Sequence, residues 1–215
     1  MVDASLKAFG GAALAILGSL LIGFVFRSDD SAQLLRPGGS YLGDDLLPSA
    51  SMVYDQTRIV KASPSDIWPW IVQLGKRRGG WYCPQWLEKL LPASWRATRT
   101  VHPQWQSLAV GDRVEDYGFN GKEDFFVVAG VYPQKGLVYR SDRYGAAFSW
   151  ALLLHELETT SRGTPQTLVH LRFRGQIAAT GMKRLLIIKG GGVLDHLTTA
   201  PMLAGLAERV ERSTS

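Results

Sequence analysis

The sequence predicts an α+β domain in which an antiparallel sheet and a C-terminal helix bury one another. Three features carry the prediction. Five segments between Val110 and Arg174 alternate with turn signals at meander spacing. From Ala200 to Arg212, the residues Met202, Leu203, Leu206 and Val210 fall on one apolar helical stripe. Such a stripe and the apolar face of a sheet each need a partner, and in this order they supply one another. The composition allows it: of 215 residues, 46% are hydrophobic and 20% charged, enough to bury a core and unlike a disordered or collagen-like chain.

Ahead of the domain, Ala8 to Phe26 carries no charge, and as a helix it would span about 28 Å, close to the hydrocarbon thickness of a bilayer. Residues 1–27 therefore read as a single-pass membrane anchor. A cleaved signal peptide is the alternative, but its apolar run is shorter and ends in a small-x-small site, whereas this run ends in Phe24-Val25-Phe26-Arg27. Gly11, Ala15, Ser19 and Gly23 recur at every fourth position, a stripe suited to self-association. Lys7 stands on one side and Arg27 and Arg36, diluted by Asp29 and Asp30, on the other, which leaves the side of the membrane undetermined. Residues 28–50, with Pro37, Gly38, Gly39, Gly43 and Pro48, have the composition of a tether, and the folded domain is expected over 51–215.

Within the domain, Thr57 to Ala62 is a short β-branched run. Ser63 caps a helix that begins at Pro64, presents Ile67, Trp68, Ile71 and Leu74, and stops at Gly75. Pro84 starts a second short helix with Trp86, Leu87, Leu90 and Leu91, and residues 92–108 are irregular. Val110–Tyr117 meets Glu123–Tyr132 across Asn120-Gly121, which suits a type I′ hairpin. Leu137–Asp142, Ala147–Leu157 and Gln166–Arg174 complete the sheet.

Strand parity sorts the side chains. Phe148, Trp150, Leu152 and Leu154 face inward, as do Thr167, Val169, Leu171 and Phe173, and Leu137 and Tyr139. His155, His170, Arg172 and Arg174 then point outward, to solvent. Phe125 to Val128 is apolar on both faces, so parity gives no answer there. Trp68, Trp81, Trp86 and Trp150 either pack a core or line a cavity.

The chemistry that can be read is mostly negative. One cysteine, Cys83, excludes an internal disulfide and a paired-thiolate zinc site, and no signature activates it as a nucleophile. His155-Glu156 lacks the second histidine of a zinc-protease helix, and Gly190-Gly191-Gly192 lacks the ending of a phosphate loop. The four histidines are scattered, so neither a metal nor a cofactor is expected, and no catalytic residue is assigned. A net charge of +5 permits attraction to anionic lipid, but acidic residues scattered through the meander argue against a nucleic-acid partner. Residues 182–189, four large aliphatics flanked by Lys183, Arg184 and Lys189, suggest a flap that touches the membrane, hinged at Gly190–Gly192.

The runs ASPSDIWPWIVQLG (62–75), RGGWY (78–82), WLEKL (86–90), VGDRV (110–114), FSWALLLHEL (148–157) and PMLAGLAERVE (201–211) together resemble the SRPBCC superfamily. That superfamily holds the START, birch-pollen-allergen and polyketide cyclase/dehydrase-like proteins. The resemblance covers about residues 55–212 and implies a helix-grip fold, with a curved antiparallel sheet wrapped on the C-terminal helix and a hydrophobic ligand held between them. The long connection from Gln176 to Thr199 departs from the pattern. Joined to the parity, the resemblance makes Trp81, Tyr82, Tyr139, Trp150, Leu152, Leu154, Thr167, Val169, Met202 and Leu206 the expected ligand-binding residues. The expected function is a membrane-tethered binding or carrier domain for a hydrophobic small molecule or lipid. The alternative is a polyketide cyclase/dehydratase-like enzyme acting on an apolar substrate.

Overall fold

The computed structural model describes residues 30–116, 124–143, 146–159, 163–177 and 181–214, with residues 30, 143, 183–189, 191 and 194 described by backbone alone. The expected anchor, the Gly11/Ala15/Ser19/Gly23 stripe and the Asn120-Gly121 turn lie outside the described residues. Among the described residues, no helix is long and apolar enough to cross a membrane.

Six strands form one antiparallel sheet: β1 (Met52–Val60), β2 (Arg113–Asp116), β3 (Asp124–Tyr132), β4 (Gly136–Arg143), β5 (Ala146–Leu157) and β6 (Gln166–Ile177). Their order is β1-β6-β5-β4-β3-β2, so the first strand closes against the last and the rest is a meander. Among the described residues, three α-helices accompany them: α1 (Pro64–Val72), α2 (Gln85–Glu88) and α3 (Gly181–Ser213). The long α3 lies over β1 and touches β6 and α1. A curved antiparallel sheet gripping one long C-terminal helix is the helix-grip arrangement.

The element starts follow local chemistry. The Ser63 side chain accepts from the Asp66 N–H while the Asp66 carboxylate accepts from the Ser63 N–H, a reciprocal capping box, and Pro64 occupies the first helical position. Between β3 and β4 the register shifts at Val128/Gly130, a bulge that bends the sheet. Parity holds on β4, β5 and β6, and it resolves β3: Phe126 and Val128 enter the core, while Phe125 lies outside under the Arg113 guanidinium, 4.4 Å above its ring.

Several expectations are corrected. The first strand begins at Met52, five residues before the β-branched run. In the second helical segment Leu87 is buried but Trp86 and Leu90 are exposed. The final helix begins at Gly181, not near Ala200, and runs unbroken through Gly190–Gly192 and Pro201, so residues 182–189 are its first turns and the glycines are not a break in it. From Gly181 to Thr199, the connection that departed from the pattern is helix.

Residues 30–50 lie against the outer face of the sheet and are more closely attached than their composition suggests. Leu47 is buried, and Tyr41 and Leu46 pack on Val138, Ala151 and Leu153. Gly43 sits at φ +88, and a Cβ there would lie 2.6 Å from a Val138 methyl, so both conformation and space require glycine. His170, Arg172 and Arg174 do point outward, but they meet this covering layer instead of solvent: His170 is fully buried, and the Asp44 carboxylate lies 2.8 Å from Arg172 Nε.

The segment 82–99 is fastened to α3 by a buried ionic collar. Arg209 has no exposed side-chain surface and pairs through Nη2 with Glu88. Its Nε donates to the Thr98 carbonyl at 2.7 Å and its Nη1 to the Cys83 carbonyl at 2.9 Å. Arg99 bridges Glu88 at 2.7 Å and Glu208 at 2.9 Å. The close approach this demands occurs at Gly205, where a Cβ would lie 2.5 Å from the Cys83 backbone. Alanine is a better helix former than glycine by about 1 kcal/mol. Gly205→Ala is nevertheless expected to destabilise the domain by about 1–3 kcal/mol through overpacking, and urea unfolding checks the sign.

Candidate functional site

The inner face of the sheet divides into two chemically different halves. One is aliphatic: Leu137, Leu152, Leu154, Val169 and Leu171 are buried with Met202, Leu203, Leu206 and Val210 of α3 and with Ile67 and Ile71 of α1. The other is aromatic. Backbone pairing places Tyr54, Phe173, Trp150 and Tyr139 side by side on β1, β6, β5 and β4. At the strand spacing of a sheet, that row runs about 14 Å. Tyr54 stacks on Phe173 at 5.7 Å, Phe173 meets Phe148 at 5.7 Å, and Phe126 stacks on Trp150 at 5.6 Å. Trp81, from the loop after α1, closes on Trp150 edge-on at 5.4 Å.

The expected ligand-binding residues come from the inner face of the sheet, from α3 and from the loop after α1, and they do different things. Leu152, Leu154, Val169, Met202 and Leu206 belong to the close-packed aliphatic half. Thr167, expected to offer a polar tip, uses its hydroxyl to donate to the Ala62 carbonyl at 2.7 Å, which closes the strand-to-helix turn. Tyr82 is also committed: its hydroxyl donates to the Trp70 carbonyl and accepts from Gln73 Nε2, both at 2.8 Å, with the Arg209 guanidinium 4.4 Å over its ring. Trp81, Tyr139 and Trp150 remain, together in the aromatic half. The Trp81 Nε1 and the Tyr139 hydroxyl are buried with no hydrogen-bond partner among the described residues. Burial drives the Tyr139 phenol far above its ordinary pKa, so it stays a neutral donor. Apolar walls with a few polar tips that the protein itself does not satisfy suit a hydrophobic ligand carrying one or two polar groups.

Asp195 was missed by the sequence reading. It lies on α3 against β1, beside Tyr54, whose hydroxyl takes a hydrogen bond from the Gly192 N–H. One Asp195 carboxylate oxygen is buried without a partner. Burial, then the like charge of Asp55, pushes its pKa up to about 7. The signal was absent because the residue sits in a stretch where a glycine triplet masks the helix. With the helix in place, a titratable group joins an aromatic half that otherwise has none assigned.

A second polar cluster lies on the opposite, outer face, under residues 30–50. His170 Nε2 is 2.7 Å from Asp55, whose two oxygens also accept from Arg172 Nη1 at 2.8 Å. His155 Nε2 lies 3.4 Å from His170 Nδ1, and the Tyr41 ring packs edge-on over both imidazoles. Burial, with His170 beside it, holds the His155 imidazole below the usual histidine range. Burial works to raise the Asp55 pKa, but hydrogen bonds from His170 and Arg172 outweigh it and hold the carboxyl low. Every member is answered by another, as expected of a structural clasp. Beside it is a cavity of about 360 Å³ lined by Leu35, Arg36, Tyr41, Val53, Asp55 and Arg172 among others. Another, of about 390 Å³, opens at the sheet rim between Trp68, Val72, Leu108, Asp112, Val131 and Pro133. Among the described residues, no group of three or more His, Cys, Asp or Glu side chains could hold a metal ion.

No family model matches the chain, and no curated protein does. Among solved structures, a protein from Mesorhizobium loti is similar at 17% identity and TM-score 0.40, over 74% of this chain and 97% of its own. A protein of unknown function from Staphylococcus aureus is similar at 13% identity and TM-score 0.46, over 76% and 95%. A protein of the dynemicin biosynthetic locus is similar at 13% identity and TM-score 0.43, over 75% of this chain and 48% of its own. The fold is assigned here from the chain's own strand order and helix.

The perturbed groups predict opposing pH effects. Asp195 rises from 3.8 to about 7 on folding, so its contribution to stability is complete below about pH 4 and is lost as pH climbs through 7. Asp195→Asn should therefore gain on the wild type above pH 7, with the gap closing toward pH 4. His155 is lowered, so its contribution is present above about pH 6.5 and is lost as pH falls below that value. Denaturant midpoints of wild type, Asp195→Asn and His155→Gln across pH 4–9 check both signs.

Proposed function

We propose that the chain is a helix-grip domain of the SRPBCC type that binds a hydrophobic small molecule or lipid against the aromatic half of its inner face, held at a membrane by residues 8–26. The observation that carries the reading is the two buried donors, Trp81 Nε1 and the Tyr139 hydroxyl, which have no partner among the described residues and are set in a wall of aromatic rings. A ligand carbonyl or hydroxyl reaching them would satisfy groups whose burial unpaired costs about 1–3 kcal/mol each. The rest of the ligand would lie along the rings from Trp150 toward Tyr54. The membrane part is supported by the uncharged length of residues 8–26.

A second reading, a cyclase/dehydratase-like enzyme acting on an apolar substrate, is favoured by Asp195 alone. A carboxyl poised near neutrality at the Tyr54 end of the same row is suited to move a proton to or from a bound substrate. In a binder that group has no such task.

Native mass spectrometry of the detergent-purified full chain separates the two. A defined co-purifying lipid or apolar molecule, its occupancy lowered at least several-fold by Tyr139→Phe, supports the binder. An empty protein that turns over a polyketide mimic, with turnover lost in Asp195→Asn but not in Tyr139→Phe, supports the enzyme. Absence of both a ligand and turnover would sink the site. The anchor has its own check: the full chain should stay with membranes at alkaline pH, and its release, or a mature N-terminus near Asp30, would overturn the span.

A further inference from the structure

The lobe formed by residues 83–99 turns an apolar and wholly cationic surface outward. Trp86, Lys89 and Leu90, spaced by three and four, share the outer side of a helical turn whose inner side carries buried Leu87 and Glu88. Arg96 donates from Nε to the Leu91 carbonyl at 3.0 Å and from Nη2 to the Lys89 carbonyl at 3.3 Å. Residues 92–96 are thereby folded back on the end of α2. Trp86 is 39% exposed, and Leu90 and Trp95 are each 55% exposed. Scattered singly, such side chains need no explanation, but two tryptophans and a leucine within ten residues mark a contact face.

Charge narrows the partner. The lobe holds one acidic residue, Glu88, and it faces inward to Arg209 and Arg99. What remains outside is Lys89 and Arg96. We propose that the face made by Trp86, Lys89, Leu90, Trp95 and Arg96 docks into the headgroup region of an anionic bilayer. Indole rings settle where one side is apolar and the other wet, and cations beside them gain from anionic headgroups. The collar that fastens the lobe to α3 holds these side chains in place before contact. The proposal rests on the membrane reading above and adds the surface that faces the bilayer.

The test uses the full chain with Leu90→Cys carrying a nitroxide. Native Cys83 is half-buried, and burial and Glu88 push its thiol up to about 11, so it does not compete for the label near pH 7. In phosphatidylcholine–phosphatidylglycerol vesicles, collisions of the label with a water-soluble nickel chelate should fall several-fold, and collisions with oxygen should rise, relative to phosphatidylcholine alone. Adding Lys89→Glu should reverse most of the change. A label equally open to the chelate in both vesicles overturns the proposal. So does shielding that grows with protein concentration in lipid-free detergent, which would give the face to a second copy. Alkaline extraction reads the anchor separately: a chain released from the membrane whose label is still shielded keeps the docking face and loses the span, and a retained chain with an open label does the reverse.

Discussion

The domain depends on one buried cation. The Arg209 side chain lies wholly inside, and every direction it faces is answered: Glu88, the carbonyls of Cys83, Gly205 and Thr98, and the ring of Tyr82. Taking such a group out of water costs several kcal/mol, and only near-complete satisfaction offsets it. The offset is available only when α2, the 97–99 loop and the last turns of α3 are all in place. The arginine therefore couples three segments, and its partners are fixed as a set. Tyr82 belongs to that set, which is why an aromatic side chain that looked like cavity lining acts as a support.

The outer face works by the same logic with different groups. Asp44 and Asp55 neutralise Arg172, His170 lies between Asp55 and His155, and Tyr41 covers the imidazoles. A sheet with one polar face would ordinarily leave that face to water. Here residues 30–50 cover it around Val138, Ala151, Leu153 and His170, so that part of the sheet is buried on both sides.

Much of this was legible in the sequence, and the losses have physical causes. Side-chain alternation on β4, β5 and β6 gave the inner face correctly because the pleat fixes it. The same alternation says which way His170 and Arg172 point but nothing of what meets them, and the covering segment is too rich in proline and glycine to announce itself as packed. Thr167 and Tyr82 were expected to bind a ligand, yet a hydroxyl's partner is a matter of tertiary distance, and both are spent on backbone carbonyls. The start of α3 was lost because three consecutive glycines carry a propensity cost of about 1 kcal/mol each against alanine. Packing overrides that cost: the helix passes Gly192 against the Tyr54 ring, where a side chain would crowd it.

That override sets what stands over the aromatic half of the sheet. Had α3 begun near Ala200, the aromatic rings at Tyr54, Phe173 and Phe148 would have faced open solvent and no carboxyl would have stood over them. With the helix extended, Asp195 is carried above β1 and buried at one end of a row whose other end holds the Tyr139 hydroxyl and Trp81 Nε1. The aliphatic half cannot compete as a site, because its side chains fill the space between α1, α3 and the sheet and offer no unanswered polar atom among the described residues. Polar groups left unpaired inside a fold that satisfies Arg209 and Arg172 so fully are unlike the rest of the molecule. Among the described residues, Trp81 Nε1, the Tyr139 hydroxyl and one Asp195 oxygen belong to the aromatic half, while the two other such atoms, Arg78 Nε and one Glu115 oxygen, belong to the loop after α1 and to β2.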